Sequence, residues 1–132
     1  MKQTIKNSVI IAIVDDDDSV RMALDSLLRS FGYKVRTYSR ALQFLYAKET
    51  AETDCLISDV QMPGLSGVEL HEQLIAGGIH IPTIFITAYP EAISHLGTHT
   101  PTVIACLPKP CDGNKLLNYI EIALATKDAC SI

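Results

Sequence analysis

Several features that would place this sequence in other functional classes are missing from it. It has no cluster of Lys and Arg and carries a net charge of −4, so direct nucleic-acid binding, which needs basic side chains against phosphates, is not expected. No apolar run is long enough to cross a bilayer, and residues 1–8 lack the apolar stretch of a signal peptide. These absences predict a cytoplasmic protein without membrane contact.

The sequence also lacks the spacings that bind a soft metal ion. Its four cysteines form no CxxC pair and match no zinc pattern, and its four histidines show no ligand spacing. Cys55 and Cys106 lie inside apolar runs, which favours buried free thiols, whereas we expect the histidines at the surface. The histidines are His71, His80, His95 and His99.

What the sequence has is enough apolar material for one domain. The 132 residues are 48% hydrophobic, which supports a real core and argues against disorder. No internal repeat, low-complexity segment or interdomain linker interrupts them. We therefore expect residues 1–132 to form a single domain with its core at about residues 8–126.

Strand-like and helix-like segments alternate along the chain. Val9–Val14 is a continuous apolar run, typical of a parallel strand covered on both faces, and it stops at four aspartates. From Val20 to Phe31 the apolar period becomes helical, with Asp17 or Asp18 available as its cap.

The same alternation continues to the end of the chain. Further strands are predicted at Lys34–Tyr38, Cys55–Ser58, Pro82–Ile86 and Val103–Leu107. Helices are predicted after Ser39 (with Leu42, Leu45 and Tyr46), after the capping box Ser66–Glu69, weakly at Pro90–Gly97, and after Asp112. Five strands alternating with five helices predict a doubly wound α/β sandwich around a parallel sheet.

Polar side chains follow the core strands at the points where they end. Asp15 and Asp16 follow the first strand, Asp59 the third, Thr87 the fourth, and Lys109 comes soon after the fifth. Because parallel strands share one carboxyl edge, where such folds bind their ligands, we expect these side chains to converge.

Three carboxylates, a hydroxyl and an ammonium group together suit phosphoryl transfer. Neighbouring carboxylates repel one another unless a cation offsets their charge, and an oxygen-rich site suits Mg²⁺. A carboxylate held beside Mg²⁺ and a lysine can act as nucleophile toward a phosphoryl group, giving an aspartyl phosphate.

The ordered motifs resemble the receiver domain of two-component response regulators, in its FixJ-like branch. The resemblance covers Ile10 to about Ala125. The motifs are Val14-Asp15-Asp16 with Ser19-Val20-Arg21, Ser58-Asp59-Val60-Gln61-Met62-Pro63-Gly64, Ser66-Gly67-Val68-Glu69-Leu70, Ile86-Thr87-Ala88, and Leu107-Pro108-Lys109-Pro110.

The resemblance implies a role for each site residue. Asp59 is the expected phosphoacceptor, Asp15 and Asp16 are the expected Mg²⁺ ligands together with Asp59, and Gln61 is expected to offer its backbone carbonyl. Thr87 and Lys109 correspond to the switch hydroxyl and the phosphate-sensing lysine. It also implies a cis Lys109–Pro110 bond and a flavodoxin-like (βα)5 sandwich with strand order 2-1-3-4-5.

The resemblance further implies a signalling switch rather than an enzyme. Such a domain catalyses only its own phosphorylation and dephosphorylation, accepts phosphate from a sensor histidine kinase, and controls an output domain or partner. The expected partners include a DNA-binding output domain outside this chain and a second copy in a phosphorylation-dependent homodimer. The chain ends soon after its last helix, which leaves a stand-alone receiver and a receiver cut from its output domain both open.

Two departures from the family pattern support an alternative. The family's Tyr or Phe in the fifth strand is replaced by Cys106, and the fourth helix contains Gly97 and Pro101, which predicts a short or partly unwound helix. A phosphorylation-independent interaction module therefore remains an alternative. A flavin-binding protein is disfavoured, because the first loop offers carboxylates where an FMN phosphate needs N–H donors.

Overall fold

The computed structural model describes residues 8–88 and 102–130, with side chains described as far as residue 126. We number the elements in chain order and label the 3-10 helix that follows α2 as η1. They are β1 Ile10–Val14, α1 Asp18–Ser30, β2 Lys34–Tyr38, α2 Ala41–Leu45, η1 Thr50–Glu52, β3 Cys55–Asp59, α3 Gly67–Ala76, β4 Thr83–Thr87, β5 Val103–Pro108 and α4 Gly113–Cys130.

The five strands form one parallel sheet in the order β2-β1-β3-β4-β5. This is the predicted flavodoxin-like order, and it places β1 and β3 side by side near the centre. Val14 is paired with Ser58, so the first residues after β1 lie beside the end of β3. The predicted fold class is therefore confirmed, while the weak helix predicted at Pro90–Gly97 lies outside the described residues.

Apolar side chains pack on both faces of the sheet. Ile11 and Ile13 belong to a core cluster with α1 and α4, whereas Ala12 and Val14 belong to a second cluster with α2 and α3. This is why β1 is apolar at every position rather than at alternate ones, since neither of its faces meets water.

Side-chain caps begin three of the helices, as the sequence indicates. Asp17, rather than Asp18, caps α1 by accepting hydrogen bonds from two backbone N–H groups. Ser66 and Glu69 form the complete capping box of α3, and Asp112 accepts from the N–H groups of the first turn of α4. Each cap satisfies donors that a helix start leaves without intrahelical partners.

The second helix differs from its prediction. It is only five residues long, Ser39 does not cap it, and its buried residues are Ala41 and Phe44. Of the apolar residues predicted for this helix, Leu42 and Tyr46 are 49% and 77% exposed, whereas Leu45 is partly buried against the core. The apolar pattern of this segment was too short to define a face, and the fit of Phe44 in the core decided the orientation.

One histidine departs from the expected surface position. His71, on α3, is only 6% exposed, and its Nε2 lies 2.8 Å from Thr102 Oγ1. Its ring also makes an edge-to-face contact with Phe85 of β4. His80 is exposed as expected, and the other two histidines lie outside the described residues.

Burial of His71 predicts a pH-dependent stability. Burial lowers the pKa of His71, Glu72 opposes that shift and His80 adds to it, so the neutral imidazole is favoured in the folded state. The stabilisation is present above the unfolded-state pKa of about 6.5 and is lost as the pH falls through the lower folded-state value. Urea unfolding should show the wild type losing stability relative to His71→Gln on acidification, by at most about 1.4 kcal/mol per pH unit.

The matched control for this experiment is His80→Gln. That histidine is exposed and is the smallest of the three influences on the pKa of His71, so its replacement should change the pH dependence of stability much less than His71→Gln does. Parallel stability curves for the wild type and His71→Gln would contradict the assignment.

No helix within the described ranges is long and apolar enough to cross a membrane.

Candidate functional site

The carboxyl edge of the sheet brings the predicted acidic residues together. Asp15 directly follows β1, and Asp59 is the last residue of β3. Asp15 is fully buried and Asp59 is 4% exposed, whereas Asp16 is exposed. One carboxylate oxygen from each of the three residues lies within 4.8 Å of the other two.

Lys109 supplies the positive charge of this cluster. Its Nζ lies 3.1 Å from Asp15 Oδ2 and 3.1 Å from Asp59 Oδ2, so one ammonium group bridges two carboxylates. The loop after β5 holds the residue in place, because the Lys109 N–H donates to the carbonyl of Thr87 over 2.9 Å. The Lys109–Pro110 peptide bond is cis, as the resemblance implied.

The electrostatics of Asp59 reflect two opposing influences. Burial is the largest influence on the pKa of Asp59 and raises it, and the nearby charge of Asp15 raises it further. Lys109 and the Gln61 N–H lower it. The net shift is upward, so the folded site makes the ionised form of Asp59 less favourable than in water. An added cation would reverse much of that effect.

The pKa of Lys109 is raised. Burial alone would lower it, but the two carboxylates at 3.1 Å raise it more strongly. Lys109 therefore stays protonated at neutral pH and keeps a fixed charge in the site.

The donor set fits a hard divalent cation. Three carboxylate oxygens are the ligands that Mg²⁺ prefers, and the exposed Asp16 leaves one side of the cluster open to water. Asp15 Oδ2 is buried without a hydrogen-bond donor among the described residues, although Lys109 Nζ lies at ion-pair distance. Such a buried oxygen is costly unless a cation or donor completes it.

The remaining predicted residues lie around this cluster. Thr87 is buried at the end of β4, one position beyond the β4 residue that pairs with Asp59. The Gln61 N–H points to Asp59 Oδ1 over a long 3.4 Å contact, and the Gln61 side chain is exposed. Its expected role as a carbonyl ligand stays a prediction.

Hydrogen bonds hold the loop after β1 in place. The Asp15 N–H donates to the carbonyl of Tyr38 on β2, and the Asp17 N–H donates to Asp15 Oδ1 over 2.8 Å. These hydrogen bonds engage the backbone N–H and the Oδ1 atom of Asp15. The remaining oxygen, Oδ2, therefore faces Lys109.

Close packing of α3 against β3 depends on Gly67, whose importance the spacing of polar residues does not reveal. A Cβ atom at this position would lie 2.1 Å from the Asp59 carbonyl oxygen and 2.9 Å from Ser58 Oγ. The Gly67 N–H also donates to the carbonyl of Val60 over 2.9 Å. Only glycine lets the helix start so close to the strand end that carries Asp59.

Two cysteines, Cys55 on β3 and Cys106 on β5, lie within strands and outside the acidic cluster. Cys55 is buried as predicted, but Cys106 is only half-buried, beside Phe85 in the strand pairing. Burial raises the pKa of the Cys106 thiol, which keeps it neutral. The position where the family carries an aromatic ring thus holds a small, uncharged side chain.

Comparison with known proteins gives a consistent result. The family model of the response regulator receiver domain matches residues 11–121. Nodulation protein W of Bradyrhizobium diazoefficiens is 34% identical over 86% of this chain and 50% of its own length. The transcriptional regulatory protein FixJ of Azorhizobium caulinodans is 32% identical over 89% of this chain and 56% of its own.

Comparison with solved structures also leads to response regulators. A structure of the response regulator StyR superposes with a TM-score of 0.81 at 41% identity, over 89% of this chain and 60% of that one. The chain thus spans about half the length of the curated relatives it matches. With the matching family model and the acidic cluster at the strand ends, the chain belongs to the family of response regulator receiver domains.

Proposed function

We propose that this receiver domain accepts a phosphoryl group on Asp59 in a Mg²⁺-dependent reaction. The observation that carries the proposal is the contact of the buried Asp59 carboxylate with Lys109, next to two further carboxylates. In family members that act as switches, a phosphorylated aspartate alters the population of an active surface. Here the added charge would be about −2 and would bring strong acceptor oxygens into the site.

The chain's own residues divide the chemistry between them. An oxygen of Asp59 attacks the phosphorus, the bond from phosphorus to the donor's leaving atom breaks, and the leaving group departs with that electron pair. Lys109, held at 3.1 Å from Asp59, is placed to bind a phosphoryl oxygen. Thr87, the last residue of β4, would donate a hydrogen bond from its hydroxyl to an oxygen of the new phosphate.

Asp15 and Asp16 would hold the metal ion together with Asp59. When bound, Mg²⁺ supplies positive charge that offsets the negative charge on the transferring oxygens. The three carboxylate oxygens within 4.8 Å of one another and the open, exposed side at Asp16 support this assignment.

The donor and the targets of the signal are inferred from family membership. We propose that a sensor histidine kinase supplies the phosphoryl group. We further propose that phosphorylation controls either a DNA-binding output domain outside this chain or a homodimer, at a cytoplasmic location.

Incubation with Mg²⁺ and acetyl phosphate tests the assignment of Asp59. Intact-mass spectrometry should show one added phosphoryl group, and hydroxylamine should remove it because acyl phosphates are cleaved by this nucleophile. Asp59→Asn should lose this labelling, whereas Asp25→Asn, which changes a carboxylate on α1, should keep it. Hydroxylamine-labile labelling that persists in Asp59→Asn would refute the proposal.

A second candidate function is an interaction module that does not depend on phosphorylation. The half-buried Cys106 favours it, because a thiol is too small to move as the family's aromatic ring does. Size-exclusion chromatography and partner binding with and without beryllofluoride, an aspartyl-phosphate mimic, separate the two. Equal behaviour in both states would favour this second function, since a ligand with equal affinity for two states shifts neither.

A further inference from the structure

Arg21, on the first turn of α1, makes two contacts that the proposed chemistry does not yet use. Its Nη1 donates to the backbone carbonyl of Asp15 over 2.7 Å, and its Nη2 forms an ion pair with the carboxylate of Asp18. The Arg21 side chain is only 17% exposed, although it lies beside a run of four aspartates. A guanidinium group can make both contacts at once because its donors form a planar fork.

The carbonyl that Arg21 binds belongs to the peptide unit between Asp15 and Asp16. Fixing that peptide fixes the rotation of the backbone on either side of it, and therefore the direction in which the Asp16 side chain leaves the loop. Asp15 has other constraints, namely its burial and the Asp17 N–H at 2.8 Å. Asp16 is exposed, so packing does little to orient it.

We infer that Arg21 is a positioning residue for Asp16 and sets the affinity of the site for Mg²⁺. The inference rests on the proposed metal-dependent function and adds a residue that does not itself touch the metal. Outer contacts of this kind typically change metal affinity by about 10–100-fold when they are removed.

The electrostatic alternative predicts the opposite sign. If Arg21 acted only through its charge, removing it would lessen the repulsion of a cation, and Mg²⁺ would bind more tightly. If Arg21 orients Asp16, removing it weakens Mg²⁺ binding in spite of the lost charge. Arg21→Met therefore separates the two explanations by the direction of the change.

The chain offers a close control on the same helix. Arg29 also pairs with a carboxylate on α1, that of Asp25, and donates to a backbone carbonyl, that of Val35 on β2. Arg29→Met removes the same charge and the same two kinds of contact, but at the opposite end of the helix from the acidic cluster.

The experiment is calorimetric titration of the unphosphorylated protein with Mg²⁺ alone. Arg21→Met should bind Mg²⁺ about tenfold more weakly than the wild type, and Arg29→Met should bind it unchanged. Arg21→Lys should fall between them, since one ammonium group keeps the charge but cannot span both partners. Near-saturating Mg²⁺ should restore the acetyl-phosphate labelling rate of Arg21→Met, which separates a weakened metal affinity from lost chemistry.

Equal or tighter Mg²⁺ binding by folded Arg21→Met, with circular dichroism as the folding check, would overturn the inference. If that variant does not fold, Arg21→Lys decides, and wild-type affinity there would overturn it. Hydroxylamine-labile labelling of the wild type is scored separately. The Arg21 inference can therefore fail while phosphorylation of Asp59 stands, whereas a wild type without measurable Mg²⁺ binding would refute both.

Discussion

Gly67→Ala should weaken both the fold and the phosphorylation of Asp59. The new Cβ atom would lie 2.1 Å from the Asp59 carbonyl oxygen, and backbone rather than a flexible side chain must move to make room. We expect a loss of about 1–3 kcal/mol in the free energy of unfolding, the usual cost of forcing atoms into a packed region. A displacement of about 1 Å at Asp59 should also slow acetyl-phosphate labelling by roughly 10²-fold.

Gly77→Ala is the matched control for this substitution. Gly77 lies at the other end of α3, and a Cβ there would have its nearest neighbour at 3.5 Å, an ordinary contact. Chemical denaturation and the labelling rate should therefore stay near the wild type. Wild-type labelling by Gly67→Ala would show that the close approach of α3 to β3 does not position Asp59.

Lys109→Met should have the second large effect, on stability and on chemistry together. Removing the ammonium group leaves Asp15 and Asp59, both buried, without the charge that now lies 3.1 Å from each. We expect a loss of about 2 kcal/mol in the absence of Mg²⁺, less than for a fully buried pair because Lys109 is 20% exposed. The labelling rate should fall by about 10²–10³-fold, as when one donor to a transition-state oxygen is removed.

A double variant tests the physical reason. Asp15→Asn removes one of the two carboxylates but keeps the Oδ1 acceptor for the Asp17 N–H. Combined with Lys109→Met, it should recover part of the lost stability without restoring the labelling. Additive effects of the two substitutions would contradict the electrostatic explanation, since interacting charges give non-additive changes.

Lys115→Met serves as the charge control for Lys109→Met. Lys115 is an exposed residue on the first turns of α4. Its replacement should leave the unfolding free energy within about 0.5 kcal/mol of the wild type and the labelling rate unchanged. A comparable loss at Lys115 would mean that the effect at Lys109 comes from net charge.

Much of the fold could be predicted because local and global preferences agree. The continuous apolar run at β1 indicates a strand buried on both faces, and Asp17, Ser66 and Asp112 mark helix starts that the structure confirms. For the short second helix, two of the three predicted apolar residues are exposed, since five residues make less than two turns and define no face. There the packing of Phe44 outweighed the local pattern.

The candidate site could be predicted as a set of residue types but not as a geometry. The polar residues at the strand ends indicate a convergent cluster because parallel strands share one carboxyl edge. Their spacing along the chain does not say that Lys109 contacts Asp15 and Asp59 at equal distances. Those distances depend on how β1, β3 and β5 align in the sheet.

By itself, the sequence determined the order of strands and helices among the described residues and three of the helix caps, because these follow from nearby residues, and it indicated the acidic cluster because parallel strands share one carboxyl edge. The tertiary structure alone decided that His71 is buried, that Gly67 must be glycine, and that Arg21 binds the peptide between Asp15 and Asp16. The reason is that each of these features depends on a contact whose distance is set by packing between elements. Such distances cannot be predicted from a local pattern of residues.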